Sequence, residues 1–393
     1  MKNYLILIAI LFFGSTLYAQ SPSTQDGYQF TTVKENPITS IKNQASSGTC
    51  WCFSGLALIE SDLIRMGKGS YDLSEMFIVH KNYQDKAKKY VRMQGKTNFG
   101  GGGSFADVLE AIRDYGIVPE AEQLGLNYGE KTHQHSEMDG LLSVYISAMA
   151  KSRKLSTAWF EGYKGIVDSY LGECPEKFTY EGKEYTPQTF AKSIGIVPED
   201  YISLTSFTHH PFYTAFPIEV QDNWRWALSY NLPIDEMMTV VSNAVNNGYC
   251  VAWASDVSEK GFTRNGIATV PDYDAPEGPG SDQAHWLGLN PAEREKAITE
   301  AGKPVKELAI TQEMRQIAFD NFQTTDDHGM LIYGTAKDQN GANYFLVKNS
   351  WGENNKYKGT WYASEAFVKY KTLTVVVHKD ALPKELKQKL NIK

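Results

Sequence analysis

Gln44-Ala45-Ser46-Ser47-Gly48-Thr49-Cys50-Trp51 is the stretch on which the fold turns. After it the chain continues Cys52-Phe53-Ser54-Gly55-Leu56-Ala57-Leu58-Ile59-Glu60 and Leu63-Ile64-Arg65-Met66, until Gly67-Lys68-Gly69 ends the run. Apolar side chains lie nearly all round this helix, so it is expected to be buried rather than to float on a surface. A cysteine in the first turn of such a helix sits at the positive end of the dipole, which favours the thiolate. The backbone N–H of Cys50 is left unspent by the helix. With the side-chain amide of Gln44 it supplies two donors for a tetrahedral oxyanion. Gly48 lets a substrate backbone approach closely. Cys50 is therefore the candidate nucleophile.

A thiolate nucleophile needs a base, and the base an orienting group. His328 lies just ahead of the apolar run Met330–Ala336, and Asn349 closes the run Tyr344–Lys348 within Val347-Lys348-Asn349-Ser350-Trp351-Gly352. Asn340-Gly341 between the two runs is a strong hairpin signal. That hairpin brings His328 and Asn349 side by side, so Asn349 can hold one ring nitrogen while the other faces Cys50. Trp351 would cover this hydrogen bond. His285 is a rival base, but no Asn-Ser-Trp strand follows it.

Further out, Asp72-Leu73-Ser74-Glu75 opens a second helix with a capping pattern, and Gly100–Gly103 precedes a third at Ser104-Phe105-Ala106-Asp107 that ends near Gly116. Residues 126–235 mix helical patterns (Met138–Met149, Ser156–Tyr170) with aromatic loops, and are expected to form a helical insertion. Residues 20–125 would hold an extended arm and a helical domain, and residues 236–393 a β-rich domain with a short last helix. This is an α+β arrangement with a cleft between the parts. The 393 residues are 42% apolar and 22% charged, enough to bury a sizeable core. A net charge of −7 argues against a protein built to neutralise nucleic-acid phosphates. Four cysteines are too few for a disulfide scaffold.

Gln44…Cys50-Trp51, then His328, then Asn349-Ser350-Trp351-Gly352, resembles the papain-like cysteine peptidases. Ser47-Gly48-Thr49-Cys50-Trp51, Trp253-Ala254-Ser255-Asp256-Val257 and Thr325-Asp326-Asp327-His328-Gly329-Met330 are similar to the bleomycin hydrolase/aminopeptidase C group. The resemblance implies a two-domain papain-like fold, with a helical domain, a β-barrel-like domain and a helical insertion. It assigns Cys50 as nucleophile, His328 as base and acid, Asn349 as orienter and Gln44 as oxyanion donor. Gly102, Gly103 and Trp351 become the substrate-binding residues. It implies peptide substrates cleaved one residue at a time from the amino end, no metal or organic cofactor, and a homo-oligomer, commonly a hexamer. In that group a tail carboxylate beyond the last helix holds the substrate's amino group. Here only Asn391-Ile392-Lys393 follow the predicted helix Leu382–Leu390, a reach of at most about 10 Å. Endopeptidase or longer exopeptidase action is therefore an alternative, and a non-enzymatic peptide-binding protein is another.

Leu5–Phe13, flanked by Lys2 and by Gly14-Ser15-Thr16-Leu17-Tyr18-Ala19, is too short to span a bilayer, which takes about 20 apolar residues. It reads as a secretory signal peptide cut after Ala19. The mature protein is then expected outside the cytoplasm, periplasmic or extracellular, without a stable membrane anchor. Cys52, Cys174 and Cys250 are expected to be core or free thiols. His133, His135, His209 and His210 are expected to be solvated, and Asp326-Asp327 to shape the loop before His328.

Overall fold

The computed structural model describes residues 27–273, 292–293 and 302–392. The leader region and His285 lie outside the described residues.

The predicted buried helix is α1 (Cys50–Arg65), with 13 of its 16 residues buried. Around it pack α2 (Glu75–Arg92) and α3 (Phe105–Tyr115). Both start as their sequences predict: the Ser74 hydroxyl accepts from Phe77 N at 3.0 Å, and Ser104 with Asp107 forms a capping box. Helices α4 (Ser136–Ala150), α5 (Ala158–Leu171) and α6 (Pro187–Ile194) complete this side, and Met138, Leu142, Ile146, Tyr163, Val167 and Phe190 join the same core.

The other half is a large sheet. Its strands are β1 (Phe30–Glu35), β4 (Tyr201–Thr205), β5 (Ala215–Pro217), β6 (Leu228–Asn231), β7 (Val251–Ser255), β8 (Phe262–Thr263), β9 (Ile267–Ala268), β10 (His328–Asp338), β11 (Asn343–Lys348), β12 (Thr360–Ser364) and β13 (Thr372–His378). A separate small hairpin pairs β2 (Phe178–Tyr180) with β3 (Lys183–Tyr185). The main order is β5-β6-β4-β13-β7-β10-β11-β12-β9-β8, with β1 beside the far half of β10. A second core lies between this sheet and α7 (Ile234–Asn246), α8 (Gln312–Asp320), α9 (Glu365–Lys371) and α10 (Lys384–Lys389), around Met237, Val241, Trp253, Phe367 and Val375.

Segment 126–235, expected as a helical insertion, is divided. Its helices α4 to α6 join the helical half, while β4, β5 and β6 extend the sheet. The strands are three to five residues long; β4 pairs with β13, far along the chain, through contacts such as Val375 with Leu204, while β6 pairs with β4 and β5 with β6. The α+β, papain-like architecture stands.

The halves meet where β10 passes the start of α1. Gly329 permits that approach, since a Cβ there would lie 2.7 Å from Ser54 Oγ and 3.3 Å from Trp51 Cα.

Candidate active site

Cys50 is the first residue of α1. The loop before it is tied to the loop after β11: Gln44 N donates to Ser350 O at 2.8 Å, and Gly352 N to Lys42 O at 3.1 Å. The Gln44 side chain is buried; its Oε1 accepts from Ser350 Oγ at 2.6 Å and its Nε2 donates to Ser47 O at 2.9 Å. An amide nitrogen carries two protons, so one N–H of Gln44 is not used in that bond.

His328 opens β10 and Asn349 follows β11, as the hairpin requires. His328 Nε2 lies 2.8 Å from Asn349 Oδ1. The same Oδ1 accepts from Ser350 N at 2.7 Å, so it is the amide oxygen. Nε2 therefore carries the imidazole proton and Nδ1 is left as the acceptor. Trp351 lies over the ring, with centroids 4.7 Å apart and planes 27° apart. Trp351 thus covers the imidazole as expected; of the further expectation that it binds substrate, the cavity lining gives no sign, since Trp351 is not part of it.

Cys50 and His328 line one cleft open to solvent, together with Gly103, Ser104, Asp222 and Asp326. The Cys50 sulfur is within hydrogen-bonding reach of the Gly329 N–H, next to the histidine. The glycine run folds back over the cysteine loop: Trp51 Nε1 donates to Gly101 O at 2.9 Å. Gly103 is in the cavity wall, and Gly102 sits at its margin, beneath Asp222; a Cβ on Gly102 would overlap that carboxylate.

The electrostatics differ from the sequence expectation. Burial pushes the Cys50 thiol up to about 11. N–H groups of Gly329 and Trp51 oppose the shift, while the charges of Asp326 and Asp222 add to it. Burial likewise pushes His328 down to about 4, against the Asn349 hydrogen bond and the charge of Asp327. Burial works against the charged form of both groups and opposes the helix-start advantage of Cys50.

The two acidic residues before His328 have different surroundings. Asp327 accepts from Val257 N, Ser258 N and Thr325 Oγ1 at 3.1, 3.0 and 2.7 Å, and so builds the loop. The neighbouring Asp256 lies 3.4 Å from the buried ammonium of Lys371. Asp326 accepts no hydrogen bond among the described residues. Asp222 was missed by sequence reasoning. It belongs to the loop between β5 and β6, whose return to the cleft carries no local signal.

Other expectations need correction. His133 and His135 are buried rather than solvated, beside the cysteine loop, where Ser46 N donates to His133 O and His135 N to Ser46 O. His209 and His210 are exposed and half-buried, in keeping with the expected solvation, and both bond the Glu219 carboxylate, at 3.0 and 3.1 Å, a third candidate ligand that the sequence did not disclose. All four cysteines are free.

Two family descriptions match the chain: "Papain family cysteine protease" over residues 25–168 and "Peptidase C1-like family" over residues 308–393. Aminopeptidase G of Lactobacillus delbrueckii subsp. lactis is 22% identical over 91% of this chain and 85% of its own length. Aminopeptidase C of Lactobacillus helveticus is 24% identical with the same coverage. Bleomycin hydrolase of Mus musculus is 24% identical over 89% of this chain and 82% of its own. Among solved structures, PepW from Lactobacillus rhamnosis superposes with a TM-score of 0.69 at 22% identity, covering 92% of this chain and 84% of that one, a likeness of fold. The chain carries papain-like C1 peptidase family regions at both ends and is a homologue of aminopeptidases C and G and of bleomycin hydrolase.

Proposed function

We propose that the protein is an exported cysteine peptidase of aminopeptidase type, working through Cys50, His328 and Asn349. The observation that carries this reading is the imidazole held by Asn349 at 2.8 Å, in the same cavity wall as the thiol. Cys50 Sγ attacks the substrate carbonyl while His328 Nδ1 takes the thiol proton. The resulting imidazolium gives that proton to the leaving amine. Water, deprotonated by the same nitrogen, then cleaves the thioester. The Cys50 N–H and the unspent N–H of Gln44 serve the oxyanion. Asn349 fixes the tautomer that leaves Nδ1 free to accept.

Cys50→Ala and His328→Ala should each lower hydrolysis of short peptides by about a thousandfold or more. Retained hydrolysis in Cys50→Ala would overturn the reading. Amino-end action is supported by the names of the relatives, and it is tested by comparing free with N-acetylated peptides; faster hydrolysis of the acetylated ones contradicts it. Export is supported by the basic, apolar, small-residue pattern of residues 2–19. Amino-terminal sequencing of secreted protein should begin at Gln20. A hexamer, carried over from the resemblance, is tested by light scattering.

A further inference from the structure

We propose that Asp222 and Asp326 form a cation subsite beside Cys50 that holds a positively charged group of the bound peptide, either its free amino terminus or a lysine or arginine side chain. The proposal rests on the cleft being a peptidase site and names the chemistry selected there.

Both carboxylates line the cavity that contains Cys50 and His328. Both also line a groove running outward from it past Gln221, Phe322 and Thr325. They therefore mark the passage between the cavity that holds Cys50 and His328 and the neighbouring groove. The passage is built. Asn98 Nδ2 holds Asp222 Oδ1 at 2.8 Å, and only a glycine at position 102 leaves room for that carboxylate.

The charge there is only partly compensated by the protein. Among the described residues neither acid forms an ion pair, and Asn98 is the one hydrogen-bond donor to their four oxygens. Lys86 is the cation within electrostatic reach of Asp222. Its ammonium is directed to the carbonyls of Gly100 and Gly102. Burial and the mutual repulsion with Asp222 and Asp327 raise Asp326 to about 7. The same two charges oppose ionisation of Cys50. Two partly buried carboxylates beside a nucleophile that must become anionic are unfavourable in the empty cleft and favourable once a cation lies between them. An ammonium one residue from the scissile carbonyl removes both penalties. Phe322 on the groove wall is 84% exposed with φ +64°, an apolar contact for a neighbouring side chain.

The test is a binding measurement in the full-length Cys50→Ala protein, which does not depend on turnover. Calorimetry would compare Leu-Leu-Leu-amide, its N-acetylated form and N-acetyl-Leu-Lys-Leu-amide. At least one cationic peptide should bind about tenfold or more tightly than the neutral one. Adding Asp222→Asn or Asp326→Asn should bring that ratio towards one. Raising ionic strength should do the same without any substitution. Preference for the free amine assigns the subsite to the amino terminus, and preference for the acetylated lysine peptide assigns it to a side chain. Equal affinities, no detectable binding at millimolar peptide, or a ratio unchanged in folded Asp→Asn variants overturns the proposal. Absence of turnover in the unmutated protein, with the ratio intact, would instead sink the peptidase reading and leave the subsite standing.

Discussion

Burial raises the Cys50 thiol against the helix start and the N–H groups around it. Asp326 is one of the charges holding the thiol up, so Asp326→Asn should lower the thiol pKa. Iodoacetamide labelling of Cys50 at pH 8 is then expected to accelerate several-fold, roughly the effect of half a pKa unit or more. Slower labelling in the variant would contradict the sign. Cys50, His328, Asn349 and Gln44 were legible in the chain because each sits in a short stretch whose composition reports its own surroundings. Asp222 was not, because its place beside Gly102 follows from how a loop between short strands returns to the cleft. Trp351 lies over the His328 ring as its position after Asn349 implied, and it does not line the cavity.

Helix α1 and strand β10 are the elements that bring the thiol and imidazole together, and Gly329 is the point of contact. Gly329→Ala places a methyl group 2.7 Å from Ser54 Oγ. The strand must shift outward, with a cost of about 1–3 kcal/mol in stability. A displacement on the scale of an ångström between nucleophile and base costs about a hundredfold in rate. Thermal melting and peptide hydrolysis should both register the change, and near-normal turnover would show that α1 yields instead. Helix α1 was readable from its unbroken apolar circumference, and the β10–β11 hairpin from Asn340-Gly341, where Gly341 has φ +86°. The short strands β4 to β6 were not, because three to five residues carry too little periodicity, and β4, which ties them to the main sheet, finds its partner β13 about 170 residues away.

Across the whole molecule, the arm after β1 fastens the halves together. Lys42 reaches Asp72 and Glu75 at 2.7 Å and Glu60 at 3.9 Å, while Lys348 from the sheet donates to Thr39 Oγ1 at 2.9 Å and Thr39 Oγ1 bonds Glu60. Burial already raises Glu60 and Glu75, and raises Glu120 to about 7; Lys42 opposes all three shifts. Lys42→Met should therefore cost about 3–5 kcal/mol near neutral pH. Carboxyls with folded pKa values above their unfolded ones lose stability as pH rises through that interval. The loss should thus be greater at pH 8 than at pH 5, which thermal melts at the two pH values will measure. An equal loss at both would place the cost in packing rather than charge.

The indole stacked on His328 has a spectroscopic consequence. A protonated imidazole quenches the emission of an adjacent tryptophan, and Trp351 lies 4.7 Å from this ring. Subtracting the signal of Trp351→Phe from that of the unmodified protein during an acid titration isolates this one fluorophore. Its intensity should hold steady through pH 6.5 and fall with a midpoint near 4, where burial sets the imidazole. Occupying the cleft with a bound peptide should move that midpoint, which makes the emission a dye-free gauge of the proton that the reaction passes back and forth.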